Sequence, residues 1–170
     1  MPTVRLSFSP AAAHVRTARL VGVAVARRAG VAAELFDEIR LAIGEACSRA
    51  VALHREHEIP DLVEVTLVDG DRFTVRVTDR APIDAALGPA LRDPPDPVRL
   101  LDEPVAQAAD GDPAAEEAMA VGMRLALLIG IVDDLSVRPV EEGPGTEVLM
   151  SWPTKLGRNG GGGHRNTRRP

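Results

Sequence analysis

Val4, Leu6 and Phe8 alternate with Thr3, Arg5 and Ser7, the period-two pattern of a strand with one buried face. Pro10 fits the first turn of a helix, where its missing N–H costs nothing, and predicts a helix from about Ala11 to Arg28. Gly30 is placed to cap that helix. Leu35, Ile39, Ala42, Ile43, Ala46, Ala50 and Leu53 then recur at helical spacing, giving a second helix from about Ala32 to Arg55. Beyond Pro60, Leu62–Val68 and Arg72–Val77 are rich in β formers and flank Asp69-Gly70-Asp71, which reads as a hairpin.

The pattern breaks from Ala81 to Pro113, where seven prolines and seven acids interrupt regular structure. A long loop is expected there, with at most one short helix near Ile83–Leu87. Ala118, Val121, Leu125 and Leu128 mark a third helix, about Ala114 to Ile129. Two strands follow, about Asp134–Pro139 and Thr146–Trp152. The order β-α-α-β-β-loop-α-β-β predicts an α+β fold. Its form is a two-layer α/β sandwich, with a mixed, mostly antiparallel sheet and helices on one face. Residues 1–152 make one domain, and 153–170, with the Gly160–Gly163 run, read as a disordered basic tail.

Composition narrows the function classes. The 170 residues are 45% hydrophobic and 26% charged, as in an ordinary globular domain. No apolar run approaches the ~18 residues of a membrane span, and the first ten residues lack a signal-peptide core. No membrane role and a cytoplasmic location are therefore expected. Cys47 is the only cysteine, which excludes an internal disulfide and a cysteine-rich zinc site; on the apolar helix face it reads as a small core hydrophobe. Aromatic residues are 2% of the chain, too few for base-stacking platforms. The net charge of −5 hides a basic end, since Lys155, Arg158, Arg165, Arg168 and Arg169 face no acid after Trp152. The acidic body disfavours nucleic acid and favours basic protein surfaces.

Four local sequences carry chemistry. They are Asp37–Val51 with Glu45 at its centre, Val75-Arg76-Val77-Thr78-Asp79, Gly122-Met123-Arg124-Leu125 followed by Val132–Val137, and Gly145-Thr146-Glu147-Val148. In this order, with these elements between them, they resemble the N-box, first glycine box, second glycine box and Gly-Thr motif of the anti-sigma-factor serine kinases. That family lies within the GHKL (histidine-kinase-like) ATPase superfamily. The resemblance spans about Val4 to Trp152 and implies the superfamily's ATPase fold. It places Glu45 at the general-base position and Asp79, Gly122 and Thr146 at adenine or phosphate contacts.

Three positions depart from the family pattern. Arg49 stands where an Asn should ligate magnesium, and a guanidinium has five donors and no lone pair. Ala81, followed by Pro82, replaces a glycine needed for close approach to the base. Arg124 replaces a phosphate-facing glycine. Glu45 and Arg49 are four residues apart on one helix, where an ion pair would neutralise the base. No metal site and no cofactor are expected, with ATP and magnesium as the ligands if the site still functions.

The resemblance then implies a regulator rather than an enzyme: an anti-sigma-factor-like protein that binds a sigma factor, a STAS-domain anti-anti-sigma protein, or both. The family's dimer contacts lie on the first strand and helix, so a homodimer is the expected assembly. Arg16, Arg19, Arg27 and His14 give that helix a basic side. The alternative is an active ATP-dependent protein-serine kinase acting on the STAS partner. His54 and His57, one helical turn apart with no third ligand nearby, read as solvated surface.

Overall fold

A computed structural model describes residues 1–82, 124 and 127–155. Strand β1 (Thr3–Phe8) leads to helix α1 (Ala12–Arg28). A 3₁₀ turn at Ala33–Leu35 precedes helix α2 (Phe36–Glu56). Strands β2 (Val63–Asp69) and β3 (Arg72–Thr78) form the hairpin. Residues 127–131 are helical, and β4 (Leu135–Pro139) and β5 (Thr146–Pro153) complete the described domain.

The elements start and stop where local chemistry directs. Ala11, not Pro10, is the N-cap of α1, with extended backbone at φ −123° and ψ 133°. Pro10 therefore lies just outside the helix rather than in its first turn. At the other end Gly30 adopts φ +77°. Its N–H donates to Arg27 O, and Val31 N–H donates to Ala26 O. This paired closure satisfies the last carbonyls of α1 and needs a left-handed residue at position 30. Arg27 and Arg28 in the last turn add favourable charge at the carbonyl end. The third helix continues to residue 131, past the expected end at Ile129. Its expected start at Ala114, the short helix near Ile83–Leu87, the loop from Ile83 to Pro113 and the tail from residue 156 lie outside the described residues.

The five strands are ordered β1-β2-β3-β5-β4, and all four described pairings are antiparallel. Strand β4 runs in the same direction as β3 but is separated from it by β5, so the crossover after β3 produces no parallel pair. The register aligns Leu6, Val65, Val77, Val148 and Val137 across the sheet, and Val4, Leu67, Val75, Met150 and Leu135 in the adjacent row. These rows form the inner face, packed with α1 and α2 into one hydrophobic core. The inner residues of the central strands are buried, whereas Val4, Leu6 and Phe8 on edge strand β1 are only half-buried. The opposite face carries Arg5, Glu64, Arg76, Glu147 and Arg138 and has no described helix over it.

Close helix packing depends on a glycine. A methyl group at Gly22 on α1 would overlap Ile43 Cδ1 on α2. With few aromatic rings available, the core gains density by such close approach of aliphatic side chains to backbone. The buried rings of Phe73 and Trp152 stack obliquely across β3 and β5 with centroids 6.0 Å apart. Trp152 Nε1–H finds its partner at Glu38 Oε1, 2.6 Å away on α2, which keeps the buried indole's polar edge satisfied.

Candidate functional site

Helix α2 presents two charged residues to different layers. Arg49 lies on its sheet-facing side among Ala46, Ala50 and Leu53, with a side chain only 2% exposed. Glu45, one turn earlier, is partly exposed and faces the third helix. The surface ion pair expected between these two residues does not form. Arg49 Nη1 instead donates to Asp79 Oδ2 at 3.0 Å and to Thr146 Oγ1 at 3.1 Å. Glu45 Oε2 accepts from Arg124 Nη1 at 3.1 Å. Spacing along one helix made the Glu45–Arg49 pair available, but burial of the Arg49 side made a sheet carboxylate the better partner.

Asp79 follows the last residue of β3, and Thr146 is the first residue of β5. The backbone ladder continues between them, with Asp79 N–H donating to Thr146 O at 3.0 Å. Thr146 Oγ1–H also donates to Asp79 Oδ2. The other carboxylate oxygen, Oδ1, accepts from Ala81 N–H at 3.1 Å and from Thr146 N–H at 3.2 Å. An ionised carboxylate offers about four lone-pair positions. Asp79 uses all of them within the protein and is 1% exposed. An adenine amino group arriving here would find no free acceptor.

Gly145 makes this junction sterically feasible. It adopts φ +129°, and a methyl group there would overlap the main-chain oxygen of Asp79. Ala81, the residue in place of the expected glycine, is buried and donates its N–H to the same carboxylate.

The network is neutral as a whole, with Arg49 against Asp79 and Arg124 against Glu45. The first pair is buried and held by several hydrogen bonds. The second is more open, at 37% and 17% side-chain exposure, and worth little by itself. Position 49 offers donors where magnesium needs a lone pair. Arg49 itself therefore supplies no ligand for magnesium. Gly122 lies outside the described residues.

Two open clefts, of about 560 and 490 Å³, lie on the sheet face opposite α1 and α2 and share Glu64 and Arg80. Neither is lined by Glu45, Arg49 or Asp79. Among the described residues no cluster of three metal-ligating side chains occurs, and no described helix is long and apolar enough to cross a membrane.

Two features escaped the sequence reading. His54 is buried rather than solvated, because α2 turns it toward the start of β2 and the segment after β3. The other is the mutual pairing of departures with survivors, Arg49 with Asp79 and Arg124 with Glu45. Its available signal was that two cations, Arg49 and Arg124, stand within the same four local sequences as the carboxylates Glu45 and Asp79.

A search of curated proteins returned no match to this chain. The family model for the histidine kinase-like ATPase domain matches residues 8–152, nearly all of the span from β1 to β5. By that match, the antiparallel sheet backed by helices and the order of its elements, the chain belongs to the histidine kinase-like ATPase domain family.

Proposed function

We propose that the protein is a regulator that works by protein binding, an anti-sigma-factor-like member of its family in which phosphoryl transfer has been lost. The observation that supports this reading is the saturation of Asp79 by Arg49, Thr146 and Ala81. A carboxylate with every acceptor position used internally cannot read adenine. Glu45 is likewise paired with a guanidinium, that of Arg124. Holding a partner away from its target needs an interface, and an interface does not depend on magnesium.

The proposed partners are a sigma factor and a STAS-domain anti-anti-sigma protein. Helix α1 supports a protein-binding role by its chemistry. It contains no acid, exposes Arg16, Arg27 and Arg28, and leaves Leu20 60% exposed. Such a surface suits an acidic partner with an apolar anchor. Strand β1 lies at the edge of the described sheet with a half-buried apolar face, which suits a homodimer.

The test combines thermal melting with and without magnesium-ATP and a phosphotransfer assay on candidate STAS proteins. A ligand that binds only the folded state must raise the melting temperature. No shift and no phosphoserine on the partner are expected, together with a complex detectable without nucleotide. Phosphoserine that appears with magnesium-ATP and disappears in Glu45→Ala would establish the active kinase instead.

A further inference from the structure

His54 is completely buried near the end of α2, and among the described residues its two nitrogens meet backbone groups rather than side chains. Nδ1 lies 3.0 Å from the carbonyl oxygen of Asp61, just before β2. Nε2 lies 2.9 Å from the backbone nitrogen of Arg80, just after β3. A carbonyl only accepts and a backbone N–H only donates, so the two bonds fix one arrangement. Nδ1 carries the proton and Nε2 is bare.

We propose that His54 is a proton-sensitive latch that holds the Arg80–Ala81 segment against the end of α2. A second proton on the ring would face the Arg80 N–H with another N–H and abolish that bond. Among the described residues, no carboxylate is bonded to the imidazole. The charged groups on the segments that meet it are engaged elsewhere or belong to its own helix end. Glu64 and Arg80 face each other at 3.9 Å, and Asp79 is taken by Arg49. Asp61 meets the ring through its carbonyl. Arg55, Glu56, His57 and Glu58 follow His54 in its own chain segment.

The latch sits beside the junction described above. Ala81 packs with Leu53, Ala52 and Ile59 in a small cluster separate from the main core. Its N–H is one of the four donors to Asp79. Release of Arg80 therefore loosens the Ala81 donor and the start of the long proline-rich segment together, while the β2–β3–β5 ladder is untouched. This proposal is independent of which partner the protein binds.

Amide hydrogen exchange in the full chain, expressed as protection relative to unstructured peptide, tests the latch between about pH 8 and about pH 5.5. Arg80 and Ala81 amides of the native protein are expected to lose about tenfold or more of their protection on acidification, with Val75 and Val77 unchanged. His54→Gln supplies a donor and an acceptor at similar spacing but does not titrate. It should hold both amides at either pH. His54→Leu should leave them weakly protected throughout; if that variant does not fold, the comparison of native protein with His54→Gln decides. Constant protection in the native protein, or equal acid loosening in His54→Gln, overturns the proposal. So does nitrogen NMR showing a proton on Nε2 and none on Nδ1 in the neutral ring.

Discussion

Arg49 and Asp79 stand 30 residues apart in the chain, on a helix and at a strand end, and their charged atoms meet at 3.0 Å in the protein interior. The contact joins a departure from the family pattern to one of its retained residues. The same holds for Arg124 and Glu45. Each carboxylate that the family resemblance assigns to nucleotide chemistry is answered by an arginine that the resemblance does not include. A buried pair of this kind adds little net stability over an apolar pair, yet removing one member strands the other.

Arg49→Met should therefore destabilise the protein by about 3–5 kcal/mol, because Asp79 remains buried without its cation. Arg49→Met combined with Asp79→Leu should cost clearly less than the two single changes added together. Denaturant unfolding of the four proteins measures the coupling. Additive losses would mean that the pair is not an energetic unit.

Restoring the family's residue at one position should not restore its ligand. Arg49→Asn removes one donor from Asp79, but Thr146 and Ala81 still occupy the carboxylate and Arg124 still holds Glu45. Calorimetric titration with magnesium-ATP should show no tight binding. Tight binding after this single change would mean that position 49 alone closes the site.

Two glycines in the β4–β5 turn should respond differently to alanine. Both have positive φ, +80° at Gly143 and +129° at Gly145. A methyl group at Gly143 meets nothing within 4 Å, so the cost should be the backbone strain of about 1–2 kcal/mol. At Gly145 it would overlap the Asp79 main chain, so the cost should exceed that of Gly143→Ala by about 2 kcal/mol or more. Melting temperatures of the two variants test this order.

Burial pushes the Cys47 thiol from 9.0 up to about 12, opposed only in part by the charge of Arg19. The folded state thus favours the neutral thiol. This contribution to stability is complete below pH 9 and is lost as pH rises toward 12, since the unfolded thiol gives up its proton first. Cys47→Ala should flatten that alkaline decline. In the native protein a thiol reagent at neutral pH should label Cys47 only as fast as the chain unfolds.

The strands, the hairpin and the first two helices were legible because each rests on a local period. Val4, Leu6 and Phe8 alternate, Ile39, Ile43 and Ala46 recur by turns, and Asp69-Gly70 permits a tight reversal. That Arg49 cannot ligate a metal was equally legible, since a guanidinium's lack of a lone pair does not depend on the fold. What each arginine does instead was decided only by tertiary structure. Position alone put Arg49 beside Glu45, but α2 buries that side of the helix against β3 and β5, where Asp79 can compensate its charge. His54 changed from surface to core for the same reason. A helix period says which residues share a face; the sheet laid against that face determines whether they meet water or a partner.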